Sequence, residues 1–117
     1  VIEEKAQDLG RLLGQTDEYK ALRRATDKLH EDPELQKMLA EVDRLAQQLE
    51  ATARSGREPP ADQIDQYDRA LATVQGNTVY QQVVAAQANF EKLMSKINER
   101  IYEGIKKGSQ SPIITLS

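Results

Sequence analysis

The chain has no cysteine and no tryptophan, one histidine, one phenylalanine, four prolines and six glycines among its 117 residues. Without a thiol there is no disulfide framework, thiolate metal site, cysteine nucleophile or protein-ligated iron–sulfur cluster. A single histidine excludes a multi-histidine metal site within one chain. Turn residues are too sparse for an all-β domain, which needs a turn signal about every 8–12 residues. No apolar run approaches the roughly 18 residues of a spanning helix, and the mean hydropathy of -0.68 agrees. A large excess of one charge is also missing: 16 Lys and Arg against 19 Asp and Glu leave a net charge of -3. Nucleic-acid modules ordinarily carry a basic face. Here Lys20, Arg23, Arg24 and Lys28 are interleaved with Asp17, Glu18, Asp27 and Glu31, the pattern of a solvated helix. Direct binding to nucleic acid or membrane is not expected. No signal pattern opens the sequence, so the expected compartment is the cytoplasm.

What the chain does have is helical periodicity. Ile2, Ala6, Leu9 and Leu13 form a first stripe, with Gly14 as the expected residue just past its end. Thr16 is an N-cap candidate, followed by Asp17 and Glu18 where the helix dipole favours acids. Tyr19, Leu22, Thr26 and Leu29 carry the second helix to about His30. Asp32-Pro33-Glu34 then reads as cap, N1 proline and first-turn acid. The third helix, about 34–55, places Leu35, Met38, Leu39, Val42, Leu45, Ala46, Leu49 and Ala53 on one wide face. Ser55 to Pro60 breaks it, with Gly56 as the residue after its end. A fourth helix begins at Pro60 or Ala61, with Ile64, Tyr67 or Asp68, Leu71 and Val74 in its period, and ends at Gly76-Asn77. Asn77 caps the last helix, about 78–106, where Tyr80, Val83, Gln87, Phe90, Met94, Ile97 and Ile101 keep an a/d rhythm. The sequence thus predicts an all-α, elongated bundle of about five helices. Residues 1–107 form one domain and 108–117 a flexible tail.

A shift of 45 residues superimposes the two halves: Tyr19, Leu22, Thr26 and Leu29 fall on Ile64, Tyr67, Leu71 and Val74, and Asp32 falls on Asn77. Each half is a short helix, a tight turn and a long helix, which predicts two short–long hairpins after the first helix. At 1.5 Å per residue the last helix spans roughly 40 Å and the short ones about 20 Å. The uncovered stripe needs another chain. A homodimer is therefore expected, with Val83, Gln87, Phe90, Met94, Ile97 and Ile101 in its seam and Gln87 as a polar residue setting register.

Catalytic chemistry finds little support. His30 stands at a helix end, where a histidine satisfies terminal carbonyls. No serine lies in a nucleophile-elbow or Ser-x-x-Lys setting, and no glycine-rich phosphate loop is present. Asp62, Asp65 and Asp68 share a helix but lack the Glu-x-x-His pairs of di-metal bundles; they read as an acidic helix start. No cofactor, metal or catalytic residue is expected. Between Ala70 and Phe90 there is no charge, while Gln75, Asn77, Gln81, Gln82, Gln87 and Asn89 make the stretch too polar for lipid. Crowding by neighbouring helices and a subunit or partner surface both fit it.

The order of parts resembles the YlbF/YmcA family of small bacterial helical proteins over residues 2–106. The features that carry the resemblance are Glu18-Tyr19-Lys20 leading into Asp32-Pro33-Glu34, the helix ending at Gly56-Arg57-Glu58-Pro59, and Gly76-Asn77. The last helix adds Ala86-Gln87-x-Asn89-Phe90 and Ile97-Asn98-x-x-Ile101. The resemblance implies an all-α dimer, no catalytic residues, and a cytoplasmic regulatory adaptor in competence, sporulation and biofilm formation. Such adaptors modulate RNase Y-dependent mRNA processing together with partner proteins. The expected partners are a second copy and paralogous or ribonuclease-associated proteins. Iron–sulfur binding, associated with that complex, has no thiolate here to support it. The alternative function is a structural or chaperone-like helical module that holds client proteins in a cleft.

Overall fold

The computed structural model describes residues 1–110, of which 88% are helical. Five helices follow in order: α1 (Ile2–Gly14), α2 (Asp17–His30), α3 (Pro33–Arg54), α4 (Ala61–Gln75) and α5 (Thr78–Gln110). No strand occurs among the described residues. The expected tail is helical as far as Gln110; the rest of it, 111–117, lies outside the described residues.

Local chemistry sets the helix ends. The Thr16 hydroxyl accepts from Tyr19 N at 3.2 Å and donates to Leu13 O at 2.6 Å, closing the joint between α1 and α2. Asp32 Oδ1 accepts from Leu35 N at 3.0 Å, and Pro33 occupies the first turn of α3, where no N–H is missed. Asn77 Oδ1 likewise accepts from Tyr80 N at 3.0 Å. At the end of α3, Gly56 adopts a φ of 78°, its N–H bonds Ala53 O, and Arg57 N–H reaches back to Thr52 O. This is a Schellman closure, which needs a residue tolerant of left-handed backbone. Gly14 does not play that part: it is the last helical residue of α1, and the cap Gln15 is right-handed at φ -96°. The three hydrogen bonds around Gln15 and Thr16 satisfy the end of α1 without a left-handed turn.

The helix pairing differs from two short–long hairpins. α2 packs along α5 and α3 along α4, while α2 meets α3, and α4 meets α5, only near their shared joints. The reason lies in the connections. The two-residue links Glu31-Asp32 and Gly76-Asn77 contain no left-handed residue, so the chain bends and carries on. The six-residue link Ser55–Pro60 holds left-handed Gly56 and two prolines, and there the chain reverses. The result is two bent rods, α2–α3 and α4–α5, lying antiparallel. A helical α4–α5 rod would span roughly 70 Å, in accord with the longest extent of 71 Å.

The 45-residue correspondence reappears as matched hydrogen bonds at the two joints. Gln36 Nε2 donates to His30 O at 2.7 Å; Gln81 Nε2 donates to Gln75 O at 2.9 Å. Terminal carbonyls are thus satisfied by glutamine in both halves. Where the two joints meet, Leu35 and Val74 are fully buried. A second small core, Ala25, Val83 and Ala86 with Leu22 and Leu29, joins α2 to α5, and Leu45 anchors α3 to α4. Large aliphatic side chains buried like these contribute roughly 1.5–3 kcal/mol each.

Candidate interaction surface

Helix α5 has two faces with different fates. Its inner face meets α2: Val83 and Ala86 are buried, and Phe90 meets Tyr19 edge-on, with ring centroids 5.6 Å apart and planes at 61°. Met94 and Ile97 are half-buried at the end of this contact. Of the residues expected at a dimer seam, Val83 is therefore covered within the chain and Phe90, Met94 and Ile97 are partly so. Gln87 is exposed, and Ile101 is 47% exposed. Further along α5, Tyr102 and Ile105 are exposed as well. Those two were not singled out by the heptad rhythm, because they sit one position off the a/d stripe; a wider apolar face was the available signal.

The outer face of α5 near its start carries a shallow apolar groove with Gln75, Tyr80, Gln81, Val84, Ala85 and Ala88 along it. Val84 is 47% exposed at its middle. No charged residue occurs between Arg69 and Glu91, so this face offers hydrogen-bonding amides and small apolar groups without ionic competition. Where α2 borders α5, Ala21, Ala25, Ala85 and Ala86 leave a second shallow furrow, edged by Arg24 and Lys28.

The electrostatics of the chain are those of isolated surface pairs on helical faces. Arg44 and Glu41 make the best of them: Nε and Nη2 of Arg44 donate to the two oxygens of Glu41 at 3.0 and 2.5 Å. These hydrogen bonds hold the Glu41 carboxyl below its ordinary range and the Arg44 guanidinium above its own. Arg11–Asp8, Arg54–Glu50 and Arg100–Glu103 are further exposed pairs. Among the described residues no group of three His, Cys, Asp or Glu side chains converges in the manner of a metal site. No described helix is long and apolar enough to cross a membrane. The described surface thus combines shallow apolar grooves with isolated ion pairs.

Comparison with known proteins places this geometry. A family model described as control of competence regulator ComK, YlbF/YmcA, matches residues 2–106. A UPF0342 protein of Bacillus velezensis is 27% identical over 107 residues, covering 90% of this chain and 92% of the relative. A UPF0342 protein of Bacillus licheniformis is 23% identical over 106 residues, covering 91% of each. Among solved structures, a protein of unknown function (DUF964) from Bacillus stearothermophilus superimposes with a TM-score of 0.63 at 18% identity, over 90% of this chain and 92% of that one. At that identity the likeness concerns the fold.

Proposed function

The chain belongs to the YlbF/YmcA family, and from that premise we propose that it is a non-enzymatic, homodimeric adaptor working through protein contacts. The family's description sets it in the control of the competence regulator ComK. Within that setting the chain regulates RNase Y-dependent mRNA processing and, through it, competence, sporulation and biofilm formation. It acts in the cytoplasm, with paralogous helical proteins or ribonuclease-associated proteins as partners. The observation that supports an adaptor best is the charge-free, exposed outer face of α5 around Tyr80 and Val84. A soluble helix rarely leaves such a face bare unless another surface covers it.

Affinity capture with the wild-type chain and with Val84→Glu, followed by mass spectrometry, tests the reading. Ribonuclease-associated proteins retained by the wild type and lost from the variant are expected. A set of unfolded proteins captured equally by both would favour the client-holding module. Mapping transcript ends in cells lacking the protein is the second arm; unchanged ends would remove the mRNA-processing role.

A further inference from the structure

The two joints are built alike but for one residue. Under the 45-residue correspondence Glu31-Asp32 falls on Gly76-Asn77, and the hydrogen bonds follow. Glu31 N–H bonds Asp27 O and Asp32 N–H bonds Leu29 O; Gly76 N–H bonds Ala72 O and Asn77 N–H bonds Val74 O, all at 3.0–3.2 Å. The caps at Asp32 and Asn77 and the glutamine bonds of Gln36 and Gln81 complete the match. The exception is the first residue of the outgoing helix, Pro33 in α3 and Thr78 in α5.

That exception decides what each bend can become. An uninterrupted α2–α3 helix needs an N–H at residue 33 to bond Leu29 O. Proline has none, and its ring strikes that carbonyl. Proline also keeps Asp32 out of helical backbone. The first bend is therefore permanent. Nothing of the kind holds the second. Gly76 is already right-handed, at φ -83° and ψ -8°, which leaves Asn77 to set the bend. A straight helix would give Val74 O to Thr78 N–H, Gln75 O to Val79 N–H and Gly76 O to Tyr80 N–H. It would replace three bonds now present: Asn77 N–H to Val74 O, Gln81 Nε2 to Gln75 O and Tyr80 N–H to Asn77 Oδ1. Local hydrogen bonding is thus balanced between the two forms, and packing holds the bend.

The packing on α4 is thin. Its buried residue is Val74, in the last turn at the joint, while Ile64 near its start is 42% exposed. Among the described residues one side-chain hydrogen bond joins it to α3, from the Thr52 hydroxyl to Gln63 Oε1 at 3.5 Å. α5 is held on α2 by Val83, Ala86 and the Tyr19–Phe90 contact. When the rod straightens, α4 is the arm that moves.

We infer that the Asn77 joint is a conformational switch: α4–α5 interconverts between the bent form and one unbroken helix in which α4 lifts from α3, while the Pro33 joint stays bent in both. The lifted form uncovers Leu45 and the half-buried Met38, Val42 and Leu49 of α3. Exposing them keeps that form minor in the free chain, and anything that binds the stripe raises its share.

Spin labels measure the opening, and the absence of native cysteine lets them be placed at will. One chain carries Gln48→Cys on α3 and Asp65→Cys on α4; a second carries Arg23→Cys on α2 and Ser95→Cys on α5, all exposed positions. Each is diluted into excess unlabelled chain, so that distances within one molecule are read. The α3–α4 pair should show a short distance and a minor longer one. Asn77→Ala, which removes the cap and favours helix, should enlarge the longer fraction at least threefold. Thr78→Pro, which copies Pro33 into the matching place, should abolish it and keep native dichroism. The α2–α5 pair should keep one distance in all three chains. A single short α3–α4 distance in both wild type and Asn77→Ala would overturn the switch, whether or not Thr78→Pro folds. So would a long fraction that survives in a folded Thr78→Pro chain. A long fraction shared by the α2–α5 pair would overturn it too, since the rods would then part as wholes.

Discussion

Single residues carry unequal shares of this fold, and their surroundings say which matter. Asp32 holds one N–H of α3 through a 3.0 Å bond. Asp32→Ala should lower unfolding free energy by about 0.5–2 kcal/mol, measured by urea denaturation, with far-ultraviolet dichroism unchanged. Leu35, with no exposed surface where the four helices of the two rods meet, is a different case. Leu35→Ala removes apolar burial and leaves a cavity between the joints, so a loss of roughly 2–5 kcal/mol is expected. If Leu35→Ala proved milder than Asp32→Ala, the meeting of the two joints would not be the centre of the molecule. The Glu41–Arg44 pair sits at the opposite extreme, on the surface with both side chains about half exposed. Its carboxyl is held below the ordinary 4.5 by the Arg44 hydrogen bonds. The pair's contribution is therefore present above that value and is lost as pH falls through the lowered one. Wild type and Glu41→Gln should differ slightly at pH 7 and converge in strong acid; screening by water and salt keeps the difference small.

At the scale of the helix, the ends separate what periodicity reveals from what it does not. A side-chain cap acts within three residues of itself, so Thr16, Asp32 and Asn77 stand out in sequence, and each makes its bond in the structure. Glycine is more ambiguous, because the residue alone does not state its φ. Gly14 and Gly56 look alike as helix stops, yet Gly56 is left-handed and Gly14 is not. Opposite outcomes follow. Gly56→Ala should destabilise by about 1 kcal/mol, the cost of a Cβ in left-handed backbone. Gly14→Ala, with nothing within 4 Å of the added methyl, should stabilise by up to about 1 kcal/mol through helix propensity. Thermal melts of the two variants moving in the same direction would contradict these helix ends. Pairing between helices was less legible still. A stripe such as Leu35, Met38, Leu45 and Leu49 says that α3 buries one face, not whether α2 or α4 covers it. That choice is made by the links, where two residues without positive φ bend the chain and Gly56 with two prolines turns it back. The same limit explains Val83. Its a/d spacing marked it as buried, but the covering group is Ala25 of its own chain rather than a partner.

The molecule as a whole is more extended than a compact chain of its size. Its radius of gyration is 22.0 Å, against about 13 Å for a compact chain of this length. Its accessible surface of 9326 Å² exceeds the roughly 6,400 Å² expected for a compact monomer of this mass. Part of the excess lies at the end of α5, which runs on from Ile97 to Gln110 with Ile101, Tyr102 and Ile105 exposed. Substitutions along α5 should therefore divide into two classes. Ile97→Asp strikes a half-buried position beside the α2 contact and should weaken folding and association together. Ile101→Asp strikes a side chain exposed to solvent in the single chain. It should leave helix content and the fold of one chain intact while preventing association, because a seam residue buried against a second chain would have to desolvate a charge without a partner. Glu99→Lys, two positions round the helix, should shift association far less than Ile101→Asp. Light scattering across a dilution series, with dichroism on the same samples, separates the three. An Ile101→Asp chain that still dimerises like the wild type would show that the end of α5 is not the seam, and the charge-free face around Val84 would become the surface to test.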